Sequence, residues 1–434
     1  MESPPAAHAP LAWTRNDYVI RVFSHPAKVE SRHWQALLAA EAAQGSDARP
    51  FATPTYWAAL QDSGSAIAQT GWQLQLVTVW SAAATHPASG DTLLAACPLY
   101  VKAHSYGEYV FDWAWAEAYA RHGLAYYPKA VVAVPFTPVP GPRLLATDAT
   151  ARAGLLQAVL TLCRQQQLSS LHLLFADKQD LAAAQTAGLM LRHTVQFHWH
   201  NRPASHAQGP YADMDDFLAS LTQDKRKKIR QERRKVAEAG IQFRTLAGAD
   251  ITPADWDFFY ACYERTYLEH GNAPYLTRSF FHQLAQTQAA HWVMFVAHRA
   301  DGQPIASSLI AVSAFPESAD NPKTHPNFPL VAFGRYWGAV ERVDCLHFEA
   351  CYYQPIAWCI AHGYHRFEGG AQGEHKMARA LLPVRTSSAH WLAHPAFAEA
   401  VDRYLARERA GMDGYLAELE SRSPLRAQEG TQKA

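Results

Sequence analysis

The run GGAQGEHK at residues 369–376 sets Gly369, Gly370 and Gly373 among Gln372, Glu374, His375 and Lys376. Glycines let backbone N–H groups approach a ligand or a developing oxyanion, and the polar side chains beside them offer an acid, a base and a cation. In that pattern Glu374 or His375 takes a proton from an amine, while Gly373 and Lys376 meet a phosphate or carboxylate. A turn that merely reverses the chain is the plain alternative.

A second run, DKRKKIRQERRKVAEAGI at 224–241, places Lys225, Arg226, Lys227, Lys228, Arg230, Arg233, Arg234 and Lys235 within about three helical turns, opposed by Glu232. A helix of that charge can hold donor phosphates; otherwise it is a solvated face. Between 106 and 128, Glu108, Asp112 and Glu117 alternate with eight aromatic residues. Rings supply apolar faces and cation–π contacts, and acids accept N–H bonds, so Glu108, Asp112, Trp113, Tyr126 and Tyr127 form a candidate acceptor pocket for an amine or a sugar. The competing reading is an aromatic core with acids at its rim. The ladder Pro135, Pro138, Pro140, Pro142 predicts a rigid extended loop able to wall such a pocket.

Other chemistries lack their motifs. There is no GxSxG, HExxH or P-loop, and no cysteine in a nucleophile signature. His198 with His200, and His362 with His365, lack cysteine or acidic partners at ligand spacing, so no metal is expected. Six cysteines without a CxxC pair argue against a disulfide scaffold and for a reducing compartment. Lysine plus arginine equal aspartate plus glutamate at 39 each, which removes any global field and argues against a stable DNA complex. The first residues lack a signal-peptide pattern and no apolar run reaches transmembrane length, so a soluble, cytoplasmic protein is expected.

The elements that must carry these residues alternate between helix and strand, which predicts an α/β (α+β) fold. They fall into two series: strand, helices, hairpin, helix, strand and helix up to about residue 190, then a strand, a proline- and glycine-bearing loop, and a comparable series from 213 onward. The expected organisation is a disordered tail at 1–15, a first domain at 16–200, a second at 201–400 carrying the basic helix 224–239, and a C-terminal helix with a frayed tail at 401–434. Each domain is expected to be a mixed sheet flanked by helices.

Phe217, Leu221, Arg226, Ile229, Arg230 and Gly240 occupy the places of a Fem-type aminoacyltransferase motif, in which a phenylalanine-led helix runs into a basic one and ends at glycine before a strand. With YGEYVFDWAWAEAYARHGLAYYPKAVVAVPFTPVPGPRLL at 106–145 and EGGAQGEHKMARALLPVRTSSAHWLAHPAF at 368–397, the chain resembles the FemAB-like family of the GNAT acyltransferases, annotated for peptidoglycan biosynthesis, over about residues 30–400. The resemblance implies two tandem GNAT-like domains with a cleft near their junction. It also implies an N-acyltransferase, N-acetyltransferase or aminoacyltransferase that joins an acyl or aminoacyl group to an amine on a small molecule or cell-wall precursor. The donor it implies is acyl-CoA or aminoacyl-tRNA, a substrate rather than a firmly bound cofactor, with tRNA as a partner. The acyl-CoA loop of GNAT enzymes, Q/R-x-x-G-x-G/A between strand and helix, has only RYWGAV at 335–340 as a counterpart. Val340 departs from the small residue there, a departure in keeping with an aminoacyl-tRNA donor. A non-catalytic ligand-binding protein on the same scaffold, and an RNA-binding protein, are the rival readings.

Overall fold

Helix starts follow from capping chemistry. Thr53 accepts from the Tyr56 amide ahead of Pro54, Asp148 from Ala151, and Thr252 forms a reciprocal capping box with Asp255. The computed structural model describes residues 18–82, 91–202, 206–313, 329–371 and 373–426. The expected tail at 1–15, the end of the chain from 427, and Gln372 lie outside them.

The first series runs β1 (Tyr18–Phe23), α1 (Ser31–Ala43), α2 (Pro54–Asp62), β2 (Gln73–Ser81), β3 (Leu93–Lys102), α3 (Trp113–Arg121), β4 (Lys129–Val132), β5 (Leu145–Ala146), α4 (Ala149–Gln165), β6 (Ser170–Leu173), α5 (Lys178–Thr186) and β7 (Met190–His200). The second opens with α6 (Met214–Ala219), α7 (Gln223–Glu238), β8 (Gln242–Ala247), α8 (Pro253–Glu269), α9 (Arg278–Thr287), β9 (Trp292–His298), β10 (Pro304–Val312) and β11 (Val331–Ala339). Next, α10 (Leu346–Phe348) passes through a π-turn at Glu349–Tyr353 into α11 (Gln354–Ala361), and β12 (Arg366–Ala371), β13 (Leu382–Leu392) and α12 (Pro395–Ser421) follow.

The strands make one mixed sheet in the order β1-β2-β3-β4-β6-β13-β7-β12-β11-β10-β9-β8, with β5 beside β3. The mixed α/β character expected from the sequence is what the chain forms. Among the described strands only β4 with β6 and β11 with β12 run parallel. Each series therefore reads edge strand, two antiparallel strands, parallel pair. At the centre the series trade strands: β13 pairs with β6 and β7, and β7 pairs with β12.

Apolar side chains cover both faces. One cluster joins Trp57, Phe259, Phe280 and Trp292 under α2, α8 and α9, another gathers Phe217, Ile229, Tyr353 and Phe367 under α6, α7 and α11, and a third packs α4 on β2, β3 and β6. No described helix is long and apolar enough to cross a membrane.

Gly338 on β11 lies directly beneath α8, and a Cβ there would stand 1.9 Å from the Cys262 carbonyl oxygen. Backbone cannot yield as a flexible side chain does. Gly338→Ala is expected to destabilise the protein by about 1–3 kcal/mol, read as a lower urea midpoint with an unchanged m value.

Candidate functional site

The site begins where a parallel pair stops pairing. β11 and β12 are in register only from Val331 opposite Arg366 to Phe333 opposite Glu368. On its other side β11 has a β-bulge: Leu309 faces Tyr336 and Ile310 faces Gly334, leaving Arg335 without a counterpart on β10. β12 gains an extra residue at the same level, since Glu368 faces His198 but Ala371 faces Gln196. Bulges bend strands and re-aim side chains, and here the two strands part.

A cleft of about 710 Å³ opens at the divergence. The first series contributes Tyr109, Phe136 and Arg192 to its wall, and the second contributes Tyr267, Arg335 and Glu374. A smaller hollow of about 150 Å³ shares Gly334, Arg335, Tyr336 and Gly369 with the cleft and continues to His347 and Tyr352. Two reactants entering from the two hollows would meet at the parted strands. The proline ladder reaches the wall through Pro138, whose carbonyl accepts from the Gln196 side chain at 2.7 Å.

The glycine turn borders this cleft through Gly369, Gly370 and Gly373. A Cβ on Gly369 would come within 2.2 Å of Leu381 and 2.9 Å of the Phe197 carbonyl oxygen, and Gly370 has φ +76°, so both positions need glycine. Lys376 departs from the expected ligand role. Its buried Nζ donates to the carbonyls of Gly369 at 2.7 Å and Gly370 at 3.3 Å, and burial brings its pKa down to about 8. It clamps the turn rather than facing a ligand. Glu374 stands exposed on the rim and accepts from Tyr415 Oη at 2.9 Å and Arg422 at 3.5 Å. His375 Nε2 lies 3.3 Å from Tyr352 Oη. Partial burial, then Arg379, Lys376 and Lys228, lower its pKa. Behind it, His347 is pushed down to about 4 by burial and by His375 and Arg379.

The basic helix α7 and the glycine turn are tied by one buried ion pair. The Arg379 guanidinium donates to both Glu232 oxygens at 2.8 and 2.9 Å and to the His375 carbonyl at 2.7 Å. Ile229, Glu232 and Val236 form the inward face, while Lys227, Lys228 and Arg230 are exposed and Lys225 and Arg226 half-buried. These five cations do not line the cleft. RYWGAV, read above as a strand-to-helix loop, continues β11 as far as Ala339, and its first residue is the bulge residue.

The expected acceptor residues are drawn inward. Lys129 on β4 donates to Ser105 at 2.7 Å, to Glu108 at 2.8 Å and to Asp112. Tyr126 Oη donates to Asp112 at 2.6 Å. Burial raises Glu108 to about 7, and Lys102, stacked 3.4 Å from the Trp72 ring centre, is lowered by burial to about 7. Trp113 is exposed, and Tyr127 bonds Ser105 at 2.8 Å while lining a different hollow. None of the five lines the cleft, because the Lys129 ammonium gathers the acids beneath the loop; their neighbours Tyr109, Val110 and Phe111 line it instead. Arg335, Tyr336, Tyr267 and Phe136 went unrecognised in the sequence. Only Arg335 had a signal there, as the first residue of RYWGAV.

No group of three or more His, Cys, Asp or Glu arranged to hold a metal occurs among the described residues.

A family described as peptidoglycan biosynthesis/recognition, the FemAB-like family, matches residues 25–427. No curated protein matches the chain. Among solved structures, FemX is similar at 8% identity over 86% of this chain and 98% of that one, with a TM-score of 0.48. L-PGS from Bacillus licheniformis is similar at 10% identity over 83% and 98%, with a TM-score of 0.43.

Glu368, one residue before the turn, is buried, and its Oε2 has no hydrogen-bond partner, with His198 Nε2 3.8 Å away. Burial raises its carboxyl to about 7 against the opposing pull of Arg366. The folded protein thus keeps a proton that the unfolded chain releases near pH 4.5, so this contribution is full below that pH and is lost as pH rises through about 7. Glu368→Gln is expected to match wild type in thermal stability near pH 5 and to exceed it at pH 8, by no more than about 3 kcal/mol. A difference that does not change with pH would refute this.

Proposed function

The chain belongs to the FemAB-like family, and from that premise we propose that it transfers an acyl or aminoacyl group to an amine in peptidoglycan precursor metabolism. The observation that carries this reading is the cleft at the parted β11 and β12, with walls from both series and a second hollow behind it. The donor, an acyl-CoA or an aminoacyl-tRNA, enters by one hollow and the amine by the other.

The chemistry needs little from side chains. A neutral amine attacks the ester or thioester carbonyl, the C–N bond forms as the C–O or C–S bond breaks, and the amine proton passes to a base and on to the leaving group. Backbone N–H groups freed by the parting of the strands support the oxyanion. His375, beside Tyr352 of the smaller hollow and with its pKa lowered, is the base in this reading, and Glu374 on the rim orients the incoming amine. The exposed cations of α7 suit an RNA phosphate backbone and favour the aminoacyl-tRNA donor.

Recognition without turnover is the second reading, favoured by the word recognition in the family's description. The two part on product formation. Purified protein incubated at low salt with aminoacyl-tRNA or acyl-CoA and cell-wall precursor amines is expected to yield an amide seen by mass spectrometry. His375→Ala is expected to lower kcat by about 10²–10⁴-fold, and Glu374→Gln chiefly to raise KM for the amine. Binding that persists with no product from any donor would establish the recognition reading.

A further inference from the structure

Back to back with the cleft lies a polar hollow of about 890 Å³, larger than the cleft itself. Neighbouring residues are shared out between the two. Phe197, Gly334 and Gly369 line the cleft, and His198, Phe333 and Glu368 line the hollow. Gln196, whose side chain donates to the Pro138 carbonyl at 2.7 Å, lines neither and lies between them. The remaining walls come from the connection between α1 and α2, the last prolines of the ladder and the start of α5.

The floor departs from what a covered sheet ordinarily holds. Buried polar residues at the centre of a sheet are the informative exception. Here β12 brings Glu368, β7 brings His198 and β13 brings Thr386, each no more than 4% exposed, and Glu368 stands opposite His198 in register. Glu368 Oε1 accepts from the Arg366 guanidinium at 2.9 Å, while Oε2 has no hydrogen-bond partner. The 3.8 Å to His198 Nε2 is too long for a hydrogen bond. A buried carboxyl oxygen left in that state costs free energy until another group completes it.

Around the rim the charges are matched. Asp47 takes the Arg49 guanidinium at 2.9 and 3.0 Å, and Asp413 takes Arg385. Asp177 accepts from Ser46 Oγ and from the amides that open α5, and Lys178 is exposed. No strong field of one sign is left to select an ion. The floor instead holds His198 and Thr386, which both donate and accept, beside the apolar surfaces of Pro140 and Phe333. A hydroxyl also does both, and a sugar carries several of them on a ring with apolar C–H faces. The volume lies within the roughly 300–1,000 Å³ of ordinary small-molecule sites.

We propose that this hollow is a second binding site, for an uncharged sugar, with a ring hydroxyl completing Glu368 Oε2. It is independent of the transfer reading of the cleft and stands or falls without it.

The test titrates maltotriose, cellotriose and chitotriose into the full-length protein by calorimetry. At least one is expected to bind, and Glu368→Gln is expected to weaken that binding at least about tenfold, as loss of a hydrogen bond to a carboxyl group implies. Val384→Trp, which fills the hollow from a half-buried position on β13, is expected to abolish it. Glu374→Gln, on the rim of the cleft, is expected to leave it unchanged. Melting temperatures separate lost binding from lost fold, and if Val384→Trp fails to fold, Glu368→Gln decides. No heat from any of the three sugars overturns the proposal. So does binding that survives Glu368→Gln at full strength, or binding lost with Glu374→Gln, which places the sugar in the cleft. Displacement of the bound sugar by an equal concentration of sodium acetate or ethylammonium chloride also overturns it, since the site then selects an ion.

Discussion

A buried backbone group that loses its ladder partner costs on the order of 1–3 kcal/mol unless something else satisfies it, and the cleft exists because β11 and β12 give up their pairing after Phe333 and Glu368. Several contacts keep that opening in place. Lys376 takes the carbonyls of Gly369 and Gly370, and Arg379 takes that of His375 while holding Glu232 on α7. The missing side chain of Gly338 lets α8 press against β11 from one side. These groups sit one layer back from the cavity and fix its width, so Glu374 on the rim stands on a rigid base.

The parallel pair of the first series is as short as that of the second, and Phe136 and Phe175 beyond its ends also reach the cleft. β4 and β6 are paired from Ala130 opposite Leu171 to Val132 opposite Leu173. Lys129, at the start of β4, sits under the 105–112 loop and ties it down through Ser105, Glu108 and Asp112. The two series thus divide the work. One holds its loop shut with a charge cluster, and that loop then presents Tyr109 and Phe111 to the cleft formed by the other.

Local patterns in the sequence give the elements better than their partners. Pro304–Val312 reads as a strand at its observed bounds, and Gly240 ends α7 with φ +72° as a glycine after a basic helix should. The 106–128 stretch conceals α3, because its aromatic residues suggest a pocket more loudly than a helical face. Strand β7 starts at Met190, earlier than its apolar run, since Arg192 and His193 are held by Glu408 and Ser387 and need no apolar alternation. At the site, glycine spacing alone pointed to the 369–373 turn. Whether Lys376 or Asp112 faces a ligand depends on which carbonyl or ammonium lies nearest in space, and that is written in the fold. Arg335 is legible in the sequence only as the first residue of RYWGAV; its bulge depends on the register of two strands, which no single stretch of sequence records.

The trade of β7 and β13 bears on how the molecule comes into being during synthesis. The strand that completes the first series lies near the far end of the chain, so Leu171 finds Trp391 only after nearly everything between them has left the ribosome. Pairings at such separation close late, since the long intervening loop must lose its freedom before the contact rewards it. A nascent chain halted before residue 382 would expose the edges of both β6 and β7 together, with no way to shield either from a neighbour.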